Sequence, residues 1–168
     1  KNLRKTTEHF QIATTAAEVG TWSLDLSSQA LEWSGLHKRM WGYDENRSDL
    51  LYEDWYKVIL SEDKEAAFAE VEKALTTKTL YQATYRIRRV SDGEERWIRS
   101  SGQYFYNAAG EAVTLTGVSI DITQEKKAGI ALIESEKRFR LLADSMPQHV
   151  WTADAKGNLN YFNKSVFD

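Results

Sequence analysis

The sequence predicts an α+β fold: a five-stranded antiparallel sheet with helices packed on one face, flanked by an N-terminal and a C-terminal helix. Three observations carry this. Residues 80–123 fall into three consecutive runs of two-residue periodicity, the pattern of neighbouring antiparallel strands. Residues 21–34 form a separate hairpin, and a helix-period segment with an acidic first turn lies between the two.

Taken in order, residues 1–18 place Leu3, Thr6, Phe10, Ala13 and Ala17 at alternating spacings of three and four, which predicts a helix. "GTWSLDL" and "ALEWS" alternate bulky apolar with polar residues around the turn-forming "SSQ", which makes the hairpin. From Gly35 to Leu60, "GLHKRMWGY" and "LLYEDWYKVIL" are too brief for long helices and predict a layer of short ones. Ser61 is placed to cap "SEDKEAAFAEVEKAL", whose acidic start and Ala67, Val71, Ala74 and Leu75 stripe mark the main helix. The strands "LYQATYRIRRV", "ERWIRSSGQYFY" and "AVTLTGVSIDIT", joined by "SDGE" and "NAAGE", complete an antiparallel meander.

Composition narrows the function classes. The 168 residues are 42% hydrophobic and 28% charged, enough for one full core and part of another. A net charge of -3 gives no whole-chain basic signature, which argues against nucleic acid and anionic membrane surfaces as partners. The absence of cysteine excludes disulfides, thiolate metal sites and thiol nucleophiles. No run approaches ~18 apolar residues and "KNLRKTTEHF" is no signal peptide, so no membrane segment is expected in these residues and the expected location is the cytoplasm.

An internal repeat sets the organisation. Trp151 falls on Trp22 at an offset of 129, and the same offset places Asp154 on Asp25, Phe162 on Trp33, Phe139 on Phe10 and Leu141 on Ile12. Residues 146–168, "MPQHVWTADAKGNLNYFNKSVFD", therefore read as the opening hairpin of a second, truncated copy, expected to fray, bury against a neighbour or swap into another chain. Before it, Ala128, Leu132, Ser135, Phe139, Leu142 and Met146 form a narrow helical stripe. That stripe is either a parallel two-helix dimer seam, with Ala128, Leu132, Phe139 and Leu142 at its centre, or a surface helix resting on its own domain.

The run "YRIRR…DGEERWI…G…GVSIDIT" resembles the PAS domain with its C-terminal PAC motif, and "VWTADAKGNLNYFN" is similar to the start of another PAS domain. The resemblance divides the chain into an N-terminal linker or signalling helix (1–18), a PAS domain with PAC (19–123), a signalling helix (124–145) and the truncated start of a second PAS domain (146–168). It implies a sensor and interaction module of a tandem-PAS bacterial protein, with a cavity between sheet and helices. It further implies a homodimer through the flanking helices, coupled to an effector domain elsewhere in the parent chain. The cofactor is unknown: a cysteine-adduct flavin is excluded because the chain has no Cys, and haem is disfavoured because residues 61–76 hold no His.

Alternation puts Tyr81, Ala83, Tyr85 and Ile87 on the helix-facing side of their strand. Small Ala83, with Gly102 and Gly117 on the next strands, then leaves room for a ligand oriented by Tyr81 and Tyr85, or the aromatic residues fill the core. By the resemblance, Asp121 at the end of the last strand takes a charge-assisted partner, for which Arg99, two residues after Trp97, is nominated; Ile122 and Thr123 follow, with Thr123 placed to cap the exit helix. No catalytic residue or metal site is expected: His9, His37 and His149 are scattered over unrelated elements, and no phosphate loop, nucleophile elbow or calcium loop occurs. The fragment is thus expected to be no enzyme itself, and its parent a sensor histidine kinase phosphorylating protein histidine with ATP. A diguanylate cyclase or phosphodiesterase parent, or a dimerisation scaffold without ligand, are the alternatives.

Overall fold

The computed structural model describes residue 9 and residues 11–167. Within these, two compact units meet at Thr123 and Gln124. Leu3, Thr6 and Phe10 of the N-terminal stripe lie outside the described residues.

The first unit runs through α1 (11–16), β1 (Gly20–Asp25), β2 (Leu31–Trp33), α2 (Gly35–Trp41), α3 (Tyr52–Tyr56), α4 (Ser61–Thr77), β3 (Tyr81–Arg88), β4 (Glu95–Tyr106) and β5 (Ala112–Asp121). The strands form one antiparallel sheet in the order β2-β1-β5-β4-β3. Thus the first hairpin docks beside the last strand, and the meander β3-β4-β5 continues outward. One sheet face carries Trp22, Leu24, Leu31, Trp33, Tyr81, Tyr85, Ile87, Ile98, Tyr104 and Leu115, all buried together with Trp41, Ile59, Ala67 and Ala74 of the helical layer. Burying several aromatic side chains of this size supplies most of the unit's hydrophobic stabilisation.

A single register row crosses all five strands: Trp33, Trp22, Gly117, Gly102 and Tyr81 are successive cross-strand partners. The two glycines are required by a close approach. A Cβ on Gly117 would lie 2.6 Å from the Trp22 indole, and one on Gly102 2.8 Å from the same ring. The Trp22 side chain therefore lies across β5 and β4 and meets Tyr81 edge-on at 5.9 Å. The space expected beside Gly102 and Gly117 for a ligand is filled by this indole.

The main helix begins as expected, but Ser61 is not its cap. Leu60 occupies the N-cap in extended conformation, and the Ser61 hydroxyl turns to Glu62 at 3.2 Å. The anchoring is done by Asp63, which accepts the Arg86 backbone N–H at 2.7 Å and two guanidinium bonds at 2.9 and 2.7 Å. This fixes α4 to β3, and the guanidinium holds the Asp63 carboxyl below its ordinary value.

The second unit contains α5, which spans Thr123–Ser145 and so starts at the last residue of the first unit, then β6 (Trp151–Ala153), β7 (Leu159–Phe162) and a 3-10 turn, Lys164–Val166. At its open end its hairpin repeats the bonds of the first at the offset of 129, while a register shift at Thr152/Ala153 makes its turn one residue shorter. Trp22 pairs with Trp33, and Trp151 with Phe162. Ser34 N–H donates to Thr21 O at 2.9 Å, and Asn163 N–H to Val150 O at 2.9 Å. Thr21 N–H donates to the Ser34 hydroxyl at 3.0 Å, and Val150 N–H to Asn163 Oδ1 at 2.8 Å. Asp25 and Asp154 each accept the backbone N–H two residues on, at the start of turns of different length.

Of the three fates expected for this hairpin, fraying, burial against a neighbour or a swap into another chain, the first is not what the structure shows. Asn163, fully buried, donates from Nδ2 to Ala143 O at 2.8 Å and Gln148 O at 2.9 Å, which ties the hairpin to the end of α5. Asp144 accepts the Lys164 N–H at 2.9 Å, and the Phe139 ring rests on Tyr161 at 5.4 Å. A hairpin alone is marginal in water, and these bonds tether this one to α5. Asn163→Ala is expected to raise amide exchange in β6 and β7 about tenfold or more while β1–β5 keep their protection, as hydrogen exchange will show.

Candidate functional site: the core cavity and the exit corner

A cavity of about 40 Å³ lies between the sheet and the helices, lined by aromatic residues that include Trp22, Trp33, Trp41, Tyr52, Trp55, Tyr81 and Tyr85. Leu24, Leu31, Val71 and Leu115 complete its apolar wall, and His37, Ser100 and Ser119 join them as polar members. Of the expected lining residues, Tyr81 and Tyr85 take part. Ala83 is partly buried against the core, but it and the two glycines are not among the lining residues.

Two kinds of polar group occur among the lining residues. One is a connected chain: Trp55 Nε1 donates to the Tyr85 hydroxyl at 2.9 Å, which lies 3.2 Å from Ser100 Oγ, itself 2.5 Å from Ser119 Oγ. Burial pushes the Tyr81 and Tyr85 hydroxyls above their usual range, so both stay neutral. The other kind has no partner: Trp22 Nε1, Trp41 Nε1 and Tyr52 OH are buried without a hydrogen bond. His37 is 2% exposed, stacked on Trp41 at 5.4 Å and tilted on Trp33 at 4.6 Å. Burial lowers its pKa to about 3, opposed by a hydrogen bond to the Gly20 backbone, so the imidazole is neutral at ordinary pH.

Sequence reading missed His37, although "WSGLHKRMW" held the signal. His37 and Trp41 lie four residues apart on one face of the short helix α2, which enters the core beside Trp33 at the end of β2. Ser100 and Ser119 were legible too, as polar residues at inward positions of strands whose parity was already known.

The second feature is the corner where β5 ends and α5 begins. Asp121 Oδ2 accepts from Arg96 Nη1 at 3.2 Å, while Oδ1 accepts the Thr123 N–H at 2.9 Å. Trp97 is bound twice: its N–H donates to the Thr123 hydroxyl at 2.9 Å, and its carbonyl accepts from Ile122 N–H at 2.9 Å. Asp121, Ile122, Thr123 and Trp97 are thus brought together. Arg99 is not the partner of Asp121; Arg96 is. In the register Asp121 faces Ile98 and Arg99 faces Ile120, so alternation turns Arg99 to the other side of the sheet and leaves Arg96 diagonal to Asp121. Thr123 does not cap its own helix either. Its hydroxyl reaches back to β4, and Asp121 takes the first helix N–H instead.

On α5, Ala128, Leu132, Phe139 and Leu142 are exposed in this chain, Leu132 by 71%. Among the described residues no helix is long and apolar enough to cross a membrane, and no group of three or more His, Cys, Asp or Glu side chains could hold a metal ion.

A family model described as the PAS fold matches residues 30–119, more than half of the chain. The chain belongs to the PAS family. This PAS chain is 30% identical to a sensory box histidine kinase/response regulator from Burkholderia thailandensis, whose solved chain it covers to 97% with 78% of its own length, at a TM-score of 0.66. It is 26% identical over 159 residues to the sensor protein FixL of Bradyrhizobium diazoefficiens, spanning 95% of this chain and 31% of that protein. It is also 27% identical over 158 residues to the probable diguanylate cyclase DgcE of Escherichia coli, across 93% of this chain and 14% of that protein. The PAS chain therefore spans a third or less of the length of these two curated relatives.

Proposed function

We propose that this PAS domain is a sensory and regulatory module of a longer bacterial signalling protein, in which the state of the core cavity is passed through the sheet to α5 and on to an effector. One observation carries the reading: a single carboxylate, Asp121, binds β4 through Arg96 and the first N–H of α5 through its other oxygen. A change in how β4 and β5 lie against each other then alters how the helix leaves the sheet. The cavity side chains Ser100 and Ser119 belong to these same two strands.

Similarity to the sensory box histidine kinase and to FixL supports a histidine kinase as the effector. Similarity to DgcE supports a diguanylate cyclase as the second reading. The repeat at offset 129 supports residues 146–168 as the opening of a second PAS domain, with α5 as the connector. The exposed stripe of Leu132 and Leu142 on α5 supports a homodimer joined along this helix in the parent chain.

The test is Asp121→Ala. Losing a charge-assisted bond at a helix start is expected to raise amide exchange over 123–127 about tenfold or more, and in the full-length parent to flatten the response of output to signal. Unchanged exchange together with an unchanged response would overturn the coupling role.

A further inference from the structure

Arg86 stands where three elements meet. It lies on β3, directly opposite Trp97 of β4 in the register. Its backbone N–H, Nε and Nη2 all donate to the carboxylate of Asp63 in the first turn of α4, at 2.7, 2.9 and 2.7 Å. A bidentate guanidinium–carboxylate pair fixes direction as well as distance, because both groups are planar. The Arg86 and Asp63 side chains are only 26% and 19% exposed, so water screens this pair less than an open surface one. The guanidinium carbon then sits 5.4 Å from the centroid of the Trp97 ring, within reach of a cation–π contact. Its third nitrogen, Nη1, is 3.8 Å from Glu95, a looser hold.

Trp97 is the residue whose backbone closes the exit corner, through its N–H to the Thr123 hydroxyl and its carbonyl to the Ile122 N–H. Alternation puts Arg86 and Trp97 on the sheet face turned away from Tyr85, Ile87 and Ile98. Arg96, the neighbour of Trp97 in sequence, points to the other face and binds Asp121 there. The corner is therefore held from both faces, by two separate contacts.

We propose, resting on the sensory reading above, that Arg86 is a positioning residue for the exit corner. It carries the placement of α4 across β3 to Trp97, and so to Ile122 and Thr123. The same helix buries Ala67 and Ala74 in the core, so a shift of α4 against the sheet reaches the corner as well. Arg86 suits this role because one carboxylate fixes its main chain and its side chain together, and the guanidinium then has one place to lie over the indole.

The test is a double-mutant cycle between Asp63 and Trp97, the two residues that Arg86 joins. Native-state hydrogen exchange is read at the Trp97 and Ile122 amides, with those of β1 as reference. Asp63→Asn keeps the shape and removes the charge. It is expected to raise exchange at the two corner amides about fivefold or more beyond any change in β1. In a Trp97→Leu background the same substitution should change them less than about twofold, because the path is already cut. Arg86→Lys reads the same step without touching Trp97, and decides the matter should Trp97→Leu not fold. It keeps a cation for Asp63 and loses the planar face over the indole, so α4 should stay protected while the corner amides rise as in Asp63→Asn.

Corner amides that rise only in step with β1 would make the Asp63–Arg86 pair a plain support of the fold. An Asp63→Asn effect undiminished by Trp97→Leu, or an Arg86→Lys corner that stays closed, would take Arg86 out of the path. Each of these overturns the assignment. The Asp121→Ala test is read over 123–127 and in the response of the parent, so either result can fail while the other stands.

Discussion

Lowering the pH from 7 to 5 is expected to cost the first unit about 2 kcal/mol of stability, through His37 alone. The folded imidazole has its pKa lowered to about 3, while in the unfolded chain it titrates near its ordinary 6.5. Between these values the unfolded state binds the proton and the folded state does not, so stability rises with pH across this window. It is fully present above pH 6.5 and is lost progressively as the pH falls towards 3. The carboxylate of Asp63, held low by Arg86, responds only below its ordinary value of 3.8 and leaves the range from 5 to 7 to the histidine.

Urea unfolding followed by tryptophan fluorescence measures this, because Trp151 is the only one of six tryptophans outside the first unit. His37→Phe keeps a ring against Trp33 and Trp41 and should abolish the dependence between pH 7 and 5. A midpoint that moves equally in wild type and His37→Phe would show that the imidazole is not buried neutral.

Gly117→Ala is expected to destabilise the first unit by about 3 kcal/mol or more, or to prevent its folding. The added carbon would lie 2.1 Å from the Ser101 carbonyl oxygen and 2.6 Å from the Trp22 ring. The nearer atom is backbone in a paired strand, so shrinking the ring with Trp22→Phe should not rescue the variant. Gly129→Ala is the opposite case. Nothing lies within 4 Å of its would-be Cβ on α5, and the change should stabilise that helix by up to about 1 kcal/mol. Circular dichroism melts of the two variants are expected to move in opposite directions, and a neutral Gly117→Ala would remove Trp22 from its place across the two strands.

These two positions mark where the sequence was and was not sufficient. The five strands, the helical layer and the inward face of β3 followed from period and turn chemistry, because a two-residue alternation leaves one solution per strand. The partner of Asp121 needed the register between β4 and β5. Counting inward residues on β4 from Gly102 reaches Ser100, Ile98 and Arg96, and passes over Arg99. Gly102 and Gly117 were identified as small but not as occupied, since what fills a gap is decided by a side chain from a strand 80 residues or more away, β1, that sequence alone does not place beside them. The second hairpin was legible as a hairpin. Its lock was not, because Asn163 replaces Ser34, and only the amide has a second arm with which to reach the helix end.

The Trp22 ring also has a mechanical meaning. It is a beam laid over the two adjacent places on β5 and β4 that carry no side chain, and its far end touches Tyr81. Those two strands carry Asp121 and Arg96, whose ion pair closes the exit corner. Any displacement of the ring would load both strands through one rigid body, with the glycines as the bearing surface.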